Sequence, residues 1–265
     1  MTTGTGRFFF LVVILAVLFS PLPAAAGGKY IHYTLTVTGP HTHYMQVTIG
    51  LDKTEGTQTF FSMPAWSPGR YIIYDFAKHV QDVGAFGKDG KPLALARTDK
   101  QTWRVTGPPG APVTVTYRVY ANFLSGTFSR LADEGALVNG ASVFMYVRDE
   151  AQNPIRLTVR FPQGKKWRIV TGLPRDGRTG EYVAENHEHL IDSPLLLGNP
   201  RVYTRELYGT AVSVFYHSPL PSVHEKELSE ECFAYFTAAC GIFGEFPHSR
   251  YHFIFATGLS PGEWD

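Results

Sequence analysis

Strict alternation of apolar and polar residues dominates the chain from Tyr30 to about Tyr216. Ile31, Tyr33, Leu35 and Val37 alternate with His32, Thr34 and Thr36, and Met45, Val47, Ile49 and Leu51 alternate with Gln46, Thr48 and Gly50. Val113, Val115, Tyr117 and Val119 do the same against Thr114, Thr116 and Arg118. Successive side chains of a strand point to opposite faces, so each run makes a ribbon with one apolar and one wet side. Such ribbons bury their apolar sides against one another, which predicts an antiparallel β-sandwich. Further strands are expected at 57–63, 81–86, 101–105, 142–147, 155–161, 167–170 and 181–184. Turn chemistry such as Lys88-Asp89-Gly90-Lys91, Gly107-Pro108-Pro109-Gly110 and Arg175-Asp176-Gly177 separates them.

The pattern changes near Leu197-Gly198-Asn199-Pro200. Two more strands are expected at 202–207 and 211–216, then a helix at 223–243 and a strand at 251–255. Ser222 with Glu225 three residues later forms a capping box, which fixes the helix start. Leu228, Cys232, Tyr235, Phe236, Ala239 and Cys240 fall on one helical face as an apolar stripe. The expected organisation is a sandwich over 27–200 and an incomplete ββαβ unit over 201–265 that reads as a truncated start of another domain. The unit is too small to bury a core of its own, so the open question is what covers it.

The first residues read as an address. Arg7 precedes an unbroken apolar run from Phe8 to Phe19, and Ser20-Pro21-Leu22-Pro23 and Ala24-Ala25-Ala26 follow. That order is a secretory signal peptide over 1–26, cleaved after Ala26. Twelve helical residues span about 18 Å, short of the ~30 Å apolar core of a bilayer. The mature chain is therefore expected to be exported, periplasmic or extracellular, without a membrane attachment after cleavage.

Chemistry is sparse. Lys plus Arg is 24 against 23 for Asp plus Glu, so no basic field exists to hold nucleic acid. Cys232 and Cys240 lie eight apart on one helix, about 12 Å along its axis, too far for a disulfide. They are expected in the buried stripe. A zincin helix needs His-Glu-x-x-His, but His224-Glu225-Lys226-Glu227-Leu228 puts leucine at the second ligand position. It is expected to be a helix N-terminus with acids favoured by the dipole. His41-Thr42-His43 and His187-Glu188-His189 are i, i+2 pairs, which share one side if strands carry them, but no third ligand accompanies either.

The segment from Met63 to Val80, which opens Met63-Pro64-Ala65-Trp66-Ser67-Pro68-Gly69-Arg70-Tyr71, stands out. Two prolines and a glycine force a rigid turn among aromatic and cationic residues. One reading makes Trp66 and Tyr71 a plug for the end of the sandwich. The other makes Trp66, Arg70 and Tyr71 a surface that grips a peptide or a neighbouring domain.

That segment, followed by Asp99-Lys100-Gln101-Thr102-Trp103, Asn139-Gly140-Ala141-Ser142-Val143-Phe144 and Leu190-Ile191-Asp192-Ser193-Pro194, resembles the N-terminal domain of the glycyl aminopeptidase family. Its members are exported zinc metallopeptidases, metallopeptidase family sixty-one. Arg250-Tyr251-His252-Phe253-Ile254-Phe255 resembles the strand leading into their catalytic half. The resemblance implies a β-sandwich followed by the start of a thermolysin-like domain, with zinc held by intact family members. The sequence after Ala256 departs from the family pattern, and no catalytic or metal residue of the family has a matching position here. The chain itself is expected to carry no cofactor and no peptidase activity. Its expected role is the non-catalytic N-terminal portion, with the missing catalytic domain as partner and peptide as a further one. The alternative is a stand-alone exported binding module that uses the turn around Trp66.

Overall fold

A computed structural model describes residues 29–218, 224–244, 246 and 248–257. The leader over 1–26 and Ser222 of the capping box lie outside the described residues. The chain opens with β1 (Ile31–Val37), β2 (Tyr44–Leu51), β3 (Gln58–Ser62), β4 (Val80–Phe86), β5 (Ala94–Arg97) and β6 (Thr102–Thr106). Then come β7 (Val113–Tyr120), β8 (Arg130–Ala132), β9 (Gly135–Val138), β10 (Tyr146–Val147) and β11 (Ile155–Arg160). β12 (Arg168–Val170), β13 (Tyr182–Ala184), α1 (His187–Ile191) and β14 (Leu195–Gly198) lead to β15 (Arg201–Leu207) and β16 (Thr210–His217). The helix α2 (Glu225–Phe243) and β17 (Arg250–Ala256) end the described chain.

The largest sheet has the order β13-β11-β1-β2-β7-β4, and two four-stranded sheets run β10-β3-β6-β5 and β12-β14-β9-β8. All three turn apolar faces into one core, as Leu35 and Val115, Phe61 and Val105, and Leu131 and Leu195 show. The period-two reading holds in detail: β1 and β2 pair with Tyr33 opposite Ile49 and Leu35 opposite Val47. β2 continues to β7 with Val47 opposite Tyr117 and Ile49 opposite Val115. Burying each such aliphatic side chain contributes roughly 1.5–3 kcal/mol. One ladder departs from the antiparallel expectation. β1 and β11 are parallel, which the long excursion between them in sequence permits.

The strand expected over 142–147 is mostly not a strand. Gly140–Ser142 is a 3-10 turn, and only Tyr146 and Val147 join a ladder, with β3. The segment from Gly140 to Met145 is buried, and side chains rather than a ladder satisfy part of its backbone. The Tyr33 hydroxyl donates to the Met145 carbonyl at 2.7 Å, and the Tyr117 hydroxyl donates to the Val143 carbonyl at 2.9 Å. The Met145 amide in turn donates to the Tyr117 oxygen at 2.8 Å. Burial raises the pKa of both phenols, so they stay neutral donors.

β15, β16 and β17 form a separate sheet, ordered as the expected ββαβ unit, with β16 and β17 parallel across α2. The apolar stripe of α2 needs correcting. Ser229, Cys232, Phe233, Phe236 and Cys240 are its buried face, while Tyr235 and Ala239 are exposed. Glu225 opens α2, and its buried carboxylate takes the Arg201 guanidinium, Nε to Oε2 at 2.9 Å. That pair ties the first turn of α2 to β15.

Candidate functional site

The loop after β3 is built by its prolines and glycine. Pro68 and Gly69 occupy the centre of a four-residue turn closed by the Arg70 amide donating to the Ser67 carbonyl at 3.1 Å. Gly69 has φ +73°, the left-handed geometry that position requires. At the loop's base the Tyr74 amide donates to the Ala65 carbonyl at 2.8 Å. Below it, Tyr74 stacks on Phe76 with centroids 5.6 Å apart, and Phe128 meets both rings edge-on. Phe76 is fully buried.

This arrangement overturns the plug reading of the turn. Trp66 is 54% exposed and Tyr71 is as exposed as in an open chain, and Ile72 and Ile73 also face water. Phe76 and Phe128 pack inward instead, while 69–73 stay exposed and the chain returns at Tyr74. The structure does not bring Trp66, Arg70 and Tyr71 to one pocket. The Arg70 guanidinium leans over Gly126, where an added Cβ would lie 3.1 Å from its Nη2. Tyr71 stands free at the tip. Trp66 walls a cleft of about 910 Å³.

The same cleft is walled by α1 and the residues around it, including Glu185, His187, Glu188 and Asp192. The Asn186 side chain caps α1 by accepting from the His189 amide at 2.8 Å. That short helix corrects the histidine pair 187/189: on a helix the two rings diverge instead of sharing a strand face. His187 is buried, with Nε2 3.1 Å from the Phe144 carbonyl. Burial lowers its pKa to about 4, so the ring is neutral near pH 7 and Nε2 must carry the proton it donates to that carbonyl. The His189 Nδ1 instead accepts from the Glu185 amide at 3.3 Å. Sequence reasoning missed this half of the site, although Asn186 ahead of His187-Glu188 was a capping signal in plain sight.

The other histidine pair sits on a turn rather than a strand. His43, at the left-handed end of the 3-10 turn Pro40–Thr42, holds the Leu131 carbonyl through Nδ1 at 2.6 Å. His224 precedes α2 and pairs with Glu227 at 2.8 Å. Among the described residues no group of three or more His, Cys, Asp or Glu could hold a metal ion. Cys232 and Cys240 are both buried free thiols.

A second constructed place is the joint between the two parts of the chain. The His217 ring, at the end of β16, lies in a slot made by Gly135 and Gly198. A Cβ on Gly135 would lie 2.5 Å from its Nε2, and one on Gly198 2.5 Å from its Cε1.

The family described as Peptidase M61 N-terminal domain matches residues 32–199, more than half of the chain. Among solved structures, an aminopeptidase N family protein from Idiomarina loihiensis is 26% identical with a TM-score of 0.75, covering 84% of this chain and 38% of that one. An M1 zinc metallopeptidase from Deinococcus radiodurans is 13% identical with a TM-score of 0.47, over 86% of this chain and 56% of that one. Leukotriene A4 hydrolase from Saccharomyces cerevisiae is 12% identical with a TM-score of 0.47, over 86% and 37%. This chain thus spans well under two thirds of the length of each. No curated protein matches it. The sandwich over residues 32–199 places the chain in the family of peptidase M61 N-terminal domains.

Proposed function

We propose that the chain is the non-catalytic N-terminal portion of an exported, aminopeptidase-like zinc metallopeptidase, and that its Trp66 loop shapes substrate access and braces the catalytic portion. The observation that carries this reading is a loop held rigidly at its base and exposed at its tip. A closed turn and three packed rings hold it, yet it presents Trp66, Tyr71, Ile72 and Ile73 to solvent. Exposed large apolar side chains on a fixed frame are the makings of a contact surface, because little conformational freedom is lost on docking. Likeness to 38% of the length of an aminopeptidase N family protein supports a portion rather than a whole. Arg70 and Tyr71 would face the catalytic portion and Trp66 the peptide. The described residues do not fit a zinc site, so zinc and its chemistry are assigned to the catalytic portion, and no step is routed through a metal here.

The test has two arms. The chain without residues 1–26 is expected to hold no stoichiometric zinc by metal analysis and to cleave no aminoacyl reporter. A tightly held zinc in each chain overturns the assignment. Mixed with the catalytic portion of a family-sixty-one aminopeptidase, it is expected to associate, and Tyr71→Ala with Ile72→Ala to weaken association at least about tenfold. Equal association of parent and variant removes the loop from the role.

A further inference from the structure

We infer that the cleft between Trp66 and α1 binds a basic peptide segment, with an arginine side chain laid on Trp66 and its guanidinium among the carboxylates of Glu185, Glu188 and Asp192. This deepens the reading of Trp66 as a peptide contact and rests on it. The cleft, at about 910 Å³, has the size of a ligand site and exceeds a single side chain.

Its charge has one sign. The three carboxylates are the charged groups of its wall, and among the described residues no lysine or arginine lines it. None of the three makes an ion pair among the described residues, and two lysines close to wall residues are engaged elsewhere. Lys100, next to Gln101 of the wall, is 2.7 Å from Asp75, and Lys29 is 2.5 Å from Glu150. Three uncompensated carboxylates around one cleft repel each other and favour a cation between them.

A buried group points the same way. His187 is 5% exposed and walls the cleft. Its Nε2–H is committed to the Phe144 carbonyl, so Nδ1 carries a lone pair, and among the described residues nothing donates to it. A ligand that satisfies this wall must bring several donors and a positive charge. Guanidinium brings five donors in a plane, and that plane stacks on a tryptophan face. Trp66, flanked by Pro64 and Pro68, offers such a face in the same cleft. An ammonium is compact and strongly hydrated, and uses the flat wall less well.

The experiment uses the chain without residues 1–26 and a fluorescein-labelled glycine-serine decapeptide carrying two arginines, beside its twin with citrulline in their place. Citrulline keeps the shape and loses the charge. Fluorescence anisotropy is expected to show the arginine peptide binding at least about tenfold tighter than its twin, with the difference shrinking as salt rises. In the Glu185→Gln, Glu188→Gln, Asp192→Asn variant the two peptides should bind alike. Exposed carboxylates are replaced there, so the fold is not at issue. Trp66→Ala should weaken both peptides. Equal binding of the twins to the parent overturns the cationic ligand but leaves Trp66 as a peptide contact. A triple variant that keeps the tenfold preference overturns the placement. No saturable binding of either peptide up to ~1 mM overturns both this inference and the peptide reading of Trp66.

Discussion

In the sandwich, the inward positions of β1, β2 and β7 are sealed: Leu35, Val37, Met45, Val47, Ile49 and Val115 are fully buried. In the ββαβ unit the buried apolar set among the described residues is Val212, Val214, Tyr216, Cys232, Phe233, Phe236 and Cys240, along one face of α2 and β16. The end of that helix leaves Ile242 and Phe243 about four-fifths exposed. Both regions alternate apolar and polar residues, but three sheets close around the first core, whereas among the described residues one helix covers the second. A pattern of alternation says which side is buried, and the number of covering layers decides how much stability follows. The sandwich is expected to be the stable body and the ββαβ unit the part that opens first.

The largest effect should come from breaking the sealed side. Phe144 is fully buried, meets Tyr33 edge-on at 5.9 Å and lends its carbonyl to His187. Phe144→Ala is expected to cost about 3–5 kcal/mol in denaturant unfolding. Phe236→Ala removes a comparable ring from the smaller core, but its effect should stay local. Hydrogen exchange should quicken in α2 and β17 while β1, β2 and β7 keep their protection. If both variants lower protection across the whole chain alike, the two regions are one cooperative unit and the contrast fails.

The next effect lies at the joint. Gly198 has φ +151° and no room for a Cβ against His217, and Gly135 would press on the Leu197 carbonyl as well. Gly198→Ala is expected to destabilise by about 1–3 kcal/mol. His217→Ala in the same chain should recover part of that, which a double-mutant cycle reads directly. Strict additivity would mean that the ring and the glycine do not bear on each other.

These contrasts also separate what the sequence could tell from what it could not. β1, β2 and β7 were legible because each has one wet face, and Pro68-Gly69 was legible because the turn chemistry is local. β14 was not: Leu195 to Gly198 is buried on both sides, so no period marks it. β5 escaped for the opposite reason, since its residues are mostly exposed and lack an apolar face. The hairpin of β8 and β9 is too short to show a period. Half of the candidate site was readable, namely the Trp66 loop. The other half was not, because α1 is one turn of helix whose place in the same cleft as Trp66 is set by long-range packing. The His217 slot involves residues far apart in sequence, and no local signal joins them.

Acid should act on the buried histidines in a defined direction. His187 is neutral in the fold with a pKa lowered to about 4 from 6.5, chiefly by burial. Burial likewise lowers His79, His217 and His252. The unfolded chain therefore binds more protons than the folded one below pH 6.5, so this stability is complete above that pH and is lost as pH falls toward 4. His187→Gln should be less stable at neutral pH, yet show a shallower decline of melting temperature across that window. An unchanged slope would mean that His187 is not a source of the acid sensitivity.

The smallest effect on stability is expected at the residue that matters most for contact. Trp66 is 54% exposed, and the base of its loop is held by the Tyr74 amide and the rings of Tyr74, Phe76 and Phe128, none of which needs the indole. A buried tryptophan truncated to alanine costs about 3–5 kcal/mol, whereas a half-exposed one on a braced loop should cost about 0.5 kcal/mol. Trp66→Ala should therefore unfold within that margin of the parent in urea, with an unchanged slope against denaturant. A loss above about 2 kcal/mol would show that the ring packs as a plug after all, and would take the surface reading with it. A near-silent Trp66→Ala set beside a damaging Phe144→Ala would instead separate the two duties of the sandwich: a sealed interior that holds the frame, and an open aromatic loop that stability alone does not require.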